Sequence, residues 1–133
     1  MRHFFTLTCI FLIMPSIAIA NDSTTCADGS GKIITGKDNT EYCMSKNRMN
    51  WWTALEWCAA INKTLIHFPE DCQCKEGKCP DTTMSNCPNL NGIINDYAWT
   101  STGSGQKSAL LIRLFDGGVA YVERTFPYSA VCK

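Results

Sequence analysis

Nine cysteines in a chain of 133 residues restrict what it can fold into more than any other feature. Cys9 belongs to a leader that begins Met1-Arg2-His3, runs apolar over 4–14 and reaches Pro15-Ser16-Ile17-Ala18-Ile19-Ala20. A basic start, a short apolar run and an Ala-x-Ala site are the parts of a secretory signal peptide, so 1–20 is expected to be cleaved and 21–133 to form a single domain. Pro15 interrupts a run already short of the roughly 20 residues of a membrane span. No membrane span is expected after signal cleavage. Cys26, Cys43, Cys58, Cys72, Cys74, Cys79, Cys87 and Cys132 then remain, an even set in an exported chain. Such a set means disulfides, because a domain this small has a modest core and the compartment is oxidising. The expected location is secreted, cell-surface or periplasmic.

Bridges among eight cysteines can be drawn in about a hundred ways, and the intervening residues narrow the choice. After a polar start, Ala27-Asp28-Gly29-Ser30-Gly31 reads as a turn, 32–35 as a strand, Gly36-Lys37-Asp38-Asn39 as a second turn and 41–44 as the returning strand. That hairpin puts Cys26 and Cys43 at the two ends of a local staple. The stretch 69–91 carries Cys72, Cys74, Cys79 and Cys87, three prolines and few apolar residues. A loop this long is normally functional or internally stapled. Nearness in sequence pairs Cys74 with Cys79 and Cys72 with Cys87. Four thiolates also suit a tetrahedral zinc ion, but paired Cys-x-x-Cys arms are missing, so disulfides are the better reading and no metal or other cofactor is expected.

Between these groups lies Asn50-Trp51-Trp52-Thr53-Ala54-Leu55-Glu56-Trp57-Cys58-Ala59-Ala60. With Asn50 as N-cap, Trp51, Leu55, Cys58 and Ala59 share one helix face, while Thr53, Glu56 and Asn62 fall elsewhere. This predicts an amphipathic helix of about three turns. Each tryptophan buries roughly 150–250 Å² when covered, more than a bare helix hides, so a sheet or loop layer must lie over it. Trp51 and Trp52 point about 100° apart and cannot be equally buried. Trp57 and the later Trp99 are read as core residues.

From Ile93 the chain turns strand-like: Ile93-Ile94, then 97–102, a Gly-Ser-Gly turn, 108–115, the hairpin turn Asp116-Gly117-Gly118, 119–122 and a last strand over 128–132. Both faces of these strands are apolar, which suggests a central position with the tryptophan helix on one side. Acids and bases balance at 12 each, and losing Arg2 with the leader leaves one acid in excess. Without basic runs there is no electrostatic footprint for nucleic acid.

The stretch Trp52-Thr53-Ala54-Leu55-Glu56-Trp57-Cys58 resembles the first-helix pattern of the C-type lectin-like family, Leu65-Ile66 resembles the segment that follows it, and Ser129-Ala130-Val131-Cys132 resembles its closing strand. The part from Trp99-Thr100-Ser101-Thr102 through Asp116-Gly117-Gly118-Val119 to Cys132 looks still more like short bacterial exported domains related to this fold. The resemblance implies an α+β, C-type lectin-like fold: one main tryptophan-rich helix on a small antiparallel sheet, with a disulfide-stapled long loop. It also implies a bridge between Cys58 and Cys132. The family's calcium and sugar ligands, a Glu-Pro-Asn or Gln-Pro-Asp triplet followed by Trp-Asn-Asp, are absent. Asn95-Asp96 precedes Tyr97-Ala98-Trp99 without the proline triplet upstream.

A stapled 69–91 loop would present Glu70, Asp71, Lys75, Glu76, Lys78 and Asp81 at low ordering cost, as a preorganised recognition surface requires; the blander reading is that it only covers the sheet edge. Trp52, Asn95 and Asp96 complete the candidate ligand-binding set. His67 is the one histidine after the leader, and no nucleophile–histidine–acid set is legible around it, so no enzymatic activity is expected. Asn21-Asp22-Ser23 and Asn62-Lys63-Thr64 match the glycosylation sequon, which matters only in a eukaryotic host. The expected function is a secreted, non-catalytic recognition module binding a protein or glycan without calcium. Two alternatives stand beside it, a structural subunit of a surface or pilus-like assembly and a small disulfide-rich toxin or inhibitor.

Overall fold

The computed structural model describes residues 25–26, 29–72 and 87–133. The leader, Cys74, Cys79, Lys75, Glu76, Lys78 and Asp81 lie outside the described residues. The fold is mixed α+β: β1 (Gly31–Thr35), β2 (Glu41–Met49), α1 (Trp51–Ala60), β3 (Tyr97–Ser104), β4 (Ser108–Arg113), β5 (Val119–Glu123) and β6 (Tyr128–Cys132). The six strands form one sheet in the order β1-β2-β6-β3-β4-β5. Neighbouring strands are antiparallel except β6 and β3, which run parallel. The sheet is therefore mixed and larger than the small antiparallel one expected. The reason is that β6 returns to the middle, between the N-terminal hairpin and the β3–β5 meander.

Helix α1 forms where its cap predicts. The Asn50 side chain accepts the Thr53 N–H at 2.9 Å, satisfying a donor that the first turn leaves orphaned. The helix ends at Ala60 with Ile61 as its C-cap, and Asn62 just beyond takes a left-handed φ of 58°. Its buried residues are Ala54 and Cys58, whereas Ala59 is exposed. This rotates the packed face away from the expected set, because the Cys58–Cys132 disulfide fixes which side of the helix meets β6 and a small Ala54 permits close approach.

Period-two alternation along the strands separates two cores. On the helix side lie Trp99, Ala109, Leu111, Ala130 and Cys132 with Ala54, Cys58 and Leu65; half-buried Trp51, Leu55 and Trp57 pack at its margin. On the other side Tyr42, Met44, Ala98, Leu110, Ile112 and Val131 meet Ile66, Cys72, Cys87, Leu90 and Leu114. The expectation that β4 is apolar on both faces holds for this reason. Trp99 is fully buried and donates its indole N–H to the Met49 carbonyl at 2.9 Å. Ile93 and Ile94 pack against the second core, but as loop rather than strand: both N–H groups go to the Leu114 carbonyl. Gly103 and Ser104 extend β3, which moves the expected Gly-Ser-Gly turn to 105–107.

Among the described residues the disulfides are Cys26–Cys43, Cys58–Cys132 and Cys72–Cys87. They fit an extracellular or otherwise oxidising compartment. Among the described residues no helix is long and apolar enough to cross a membrane.

One departure from a simple sheet positions everything that follows. β3 and β6 pair only over Ala98–Ser129 and Trp99–Ala130, then part. The chain after α1 enters the gap: Ile66 donates to the Val131 carbonyl, Ser101 donates to the Ile66 carbonyl, and Thr64 exchanges both backbone bonds with Lys133. A register shift between β3 and β4 over Trp99–Gly103 goes with the parting. The buried Thr100 hydroxyl donates to the Leu110 carbonyl at 2.9 Å, so the irregular backbone leaves that group paired.

Candidate functional site

The wedge of 64–66 leads directly into the ends of the cysteine-rich segment, and those ends are held unusually well. Cys72 and Cys87 bring their Cα atoms to 4.5 Å and are both fully buried. On the near side, Asp71 is buried in a 3-10 turn, Glu70–Cys72. Its carboxylate accepts the His67 N–H at 2.7 Å and the Lys133 ammonium at 2.5 Å. On the far side, the Cys87 N–H donates to the Gly117 carbonyl at 2.5 Å, and a second 3-10 turn, Pro88–Leu90, follows.

Asn89 joins the two sides. Its amide donates at 3.0 Å both to the Tyr42 hydroxyl and to the Asp71 carbonyl, and its oxygen accepts the Asp38 N–H at 3.0 Å. Its backbone carbonyl accepts the Lys37 N–H. Gly36 is required here, since a Cβ at that position would sit 2.7 Å from the Asn89 side-chain oxygen. Gly117 is required for two reasons, a φ of +72° and the Cys87 carbonyl 2.9 Å from where its Cβ would be. Among the described residues no buried side-chain polar atom lacks a partner.

The charges of this base are perturbed accordingly. Burial pushes the Tyr42 hydroxyl above its ordinary pKa, and the nearby Asp38 and Asp71 carboxylates push it the same way. The Asp38 carboxylate is held below the usual range by the Thr40 backbone N–H and then by the Thr40 hydroxyl. Lys37, Asp38, Pro88 and Asn89 line a shallow depression of about 220 Å³ beside it.

Above the base sits a surface constellation that spacing did not disclose. His67 Nδ1 lies 2.8 Å from the Ser101 hydroxyl and 3.4 Å from the Thr102 hydroxyl, while its Nε2 lies 3.3 Å from the Glu70 carboxylate. The order hydroxyl, imidazole, carboxylate resembles a nucleophile set, yet the neighbouring backbone is spent. Ser101 N–H donates to the Ile66 carbonyl and Thr102 N–H to the Thr100 hydroxyl, which leaves neither to receive an oxyanion. With His67 and Glu70 at least half exposed, the set ties the segment 67–70 to β3.

The expected ligand-binding residues thus separate. Glu70 is exposed, Asn95 is exposed, and Trp52 projects into solvent at 45% exposure. Asp71 is not presented: it is an internal acceptor, and the reason is the pair of donors from His67 and Lys133. Asp96 is likewise engaged, by Arg48 at 3.1 Å, by the Ser129 hydroxyl and by the Tyr97 N–H. Trp52 stands apart from the loop base, at the start of α1 beside the β3–β4 turn. Among the described residues no three His, Cys, Asp or Glu side chains group closely enough to hold a metal ion. Comparison with family models and with curated proteins finds no match.

Proposed function

We propose that this protein is an exported, non-catalytic recognition module of C-type lectin-like fold, binding a protein or glycan without calcium through the segment carried between Cys72 and Cys87. The observation that carries the reading is the investment at the two ends of that segment. A disulfide, a buried carboxylate met by the half-exposed Lys133 ammonium and a three-bonded asparagine all serve to hold its ends together on the sheet. Rigid scaffolds that fix the ends of a polar connection are where binding residues concentrate. The helix cysteine joined to the last-strand cysteine, with the closing strand beside β2, supports the lectin-like reading. The absence of a clustered acidic donor set in the sequence motifs supports calcium independence.

The test is a screen of the purified protein against panels of cell-surface glycans and proteins, with and without a chelator. The expected result is a partner whose binding survives chelation and raises the melting temperature, as any ligand of the native state must. Binding abolished by chelator would overturn calcium independence, and no partner in either panel would count against recognition.

One observation favours a structural subunit as the second reading. β5 is an edge strand that leaves Ala120 and Tyr121 exposed, and Phe126 is 48% exposed just beyond it. Unpaired edges template pairing with another chain. Sedimentation decides between the two, a monomer supporting recognition and a concentration-dependent polymer supporting assembly.

A further inference from the structure

The half-exposed Trp52 ring rests on one neighbour whose own position is fixed by a chain of contacts. It meets the Trp51 ring edge-on, with centroids 6.1 Å apart and planes at 79°. Trp51 is itself locked. Its indole N–H donates to the Thr100 carbonyl at 2.8 Å, and the Arg124 guanidinium lies over its ring at 4.1 Å. Arg124 is fixed in turn by donating to the carbonyls of Ser108 at 2.9 Å and Gly105 at 2.8 Å, and its backbone N–H donates to the Lys107 carbonyl. The Trp51 N–H closes the circuit on the Arg124 carbonyl. Helix start, β3–β4 turn and β5–β6 connection are therefore one rigid unit.

On that unit Trp52, Gln106, Lys107, Glu123 and Thr125 line a groove of about 310 Å³. The volume is at the lower end for small-molecule sites, roughly 300–1,000 Å³. Its chemistry is one aromatic face surrounded by an amide, an ammonium, a carboxylate and a hydroxyl. Those four groups are exposed and stay hydrated beside an apolar anchor, which would draw on the indole alone. An ionic ligand would meet an opposite and a like charge together, Lys107 and Glu123. A ring with an apolar face of C–H bonds and a rim of neutral hydroxyls can stack on the indole and exchange hydrogen bonds with the polar rim without a charge conflict.

We propose that the groove beside Trp52 binds a pyranose ring of a neutral glycan, the ring stacked on the indole and its hydroxyls bonded to Glu123, Gln106 and Lys107. This goes beyond recognition through the 72–87 segment and does not depend on it, since none of the lining residues belongs to the loop base. One carboxylate among the described lining groups is too few for a calcium ion, which takes six to eight oxygens, so stacking and direct hydrogen bonds carry the binding.

The test is a neutral-oligosaccharide array read with the native protein, followed by titration of the strongest binders with iodide quenching of tryptophan fluorescence. The expected result is a saccharide that shields a tryptophan from iodide and whose affinity falls at least about tenfold in Trp52→Ala. Trp52→Phe, which keeps an aromatic face, should stay within about threefold of native. Because Trp52 is exposed, Trp52→Ala should melt with the native protein, and a variant with 73–86 replaced should bind the sugar unchanged. Three results would overturn the proposal: no neutral saccharide bound at millimolar concentration, saccharide binding indifferent to Trp52→Ala, or Trp52-dependent capture of a protein in place of sugar.

Discussion

Asn89 is the residue on which the base of the cysteine-rich segment turns, because its one amide group serves three distant parts of the chain. Asn89→Ala would take one hydrogen-bond partner each from the Tyr42 hydroxyl, the Asp71 carbonyl and the Asp38 N–H and leave a small void. Leaving buried polar groups unpaired costs about 1–3 kcal/mol each, softened here by the partial access of Asp38. We expect a loss of about 2–3 kcal/mol, read as a lower urea midpoint at unchanged slope; a change under about 0.5 kcal/mol, the range of ordinary surface substitutions, would remove Asn89 from its role. Tyr42 supplies a pH prediction of definite sign. Its folded pKa lies above its unfolded value near 10, so the folded state keeps a proton that the unfolded state releases. The stability involved is fully present below pH 10 and is lost as pH rises toward the folded pKa. Ultraviolet titration of the phenolates should show a late ionisation above pH 10 that Tyr42→Phe removes. None of this was legible in the sequence. Asn89 and Tyr42 are 47 positions apart, and nothing in either neighbourhood marks a buried amide.

At the scale of elements, what local chemistry decides was readable and what long-range pairing decides was not. The Asn50 cap, the existence of α1 and the positive φ of Gly117 in Asp116-Gly117-Gly118 are written within a few residues each, and the structure has them in place, whereas the face that α1 packs is set by its distant partner Cys132. The parallel contact of β6 with β3, the register shift between Trp99 and Gly103 and the wedge of 64–66 depend on where strands far apart in sequence settle. The placement of Asp71 follows the same rule, since a loop acid looks exposed until Lys133 and the His67 N–H are brought to it. Helix α1 rests on the sheet through two features whose contributions differ in size. Asn50→Ala should cost about 1 kcal/mol, the usual value of an N-cap. Replacing both Cys58 and Cys132 by Ala frees a loop with a sequence separation of 74 and should cost about 4 kcal/mol on the chain-entropy estimate. Thermal or urea unfolding of the two variants checks the order; an equal loss in both would mean that the disulfide does not anchor the helix.

For the whole molecule, the described residues form the scaffold, and the segment proposed for recognition runs between its Cys72 and Cys87. Two cores on opposite faces of one sheet, three disulfides and a fully paired polar base belong to the scaffold. The resemblance that suggested this architecture rested on a helix pattern and a closing strand, and those are the parts that the sheet brings together at Cys58–Cys132. The cysteine spacing that drew attention to 69–91 identified the segment, but not that its ends would be pinned from both sides by buried hydrogen bonds. The measurement that bears most directly on this division is a comparison of the native protein with a variant in which 73–86 is replaced by a short Gly/Ser linker and the Cys72–Cys87 bridge is kept. The variant is expected to unfold cooperatively at nearly the native temperature, with the Cys26–Cys43, Cys58–Cys132 and Cys72–Cys87 bridges intact, and no longer to bind a partner that the native chain captures indifferently to Trp52→Ala. A variant that fails to fold, or one that folds and binds that partner as before, would contradict this division.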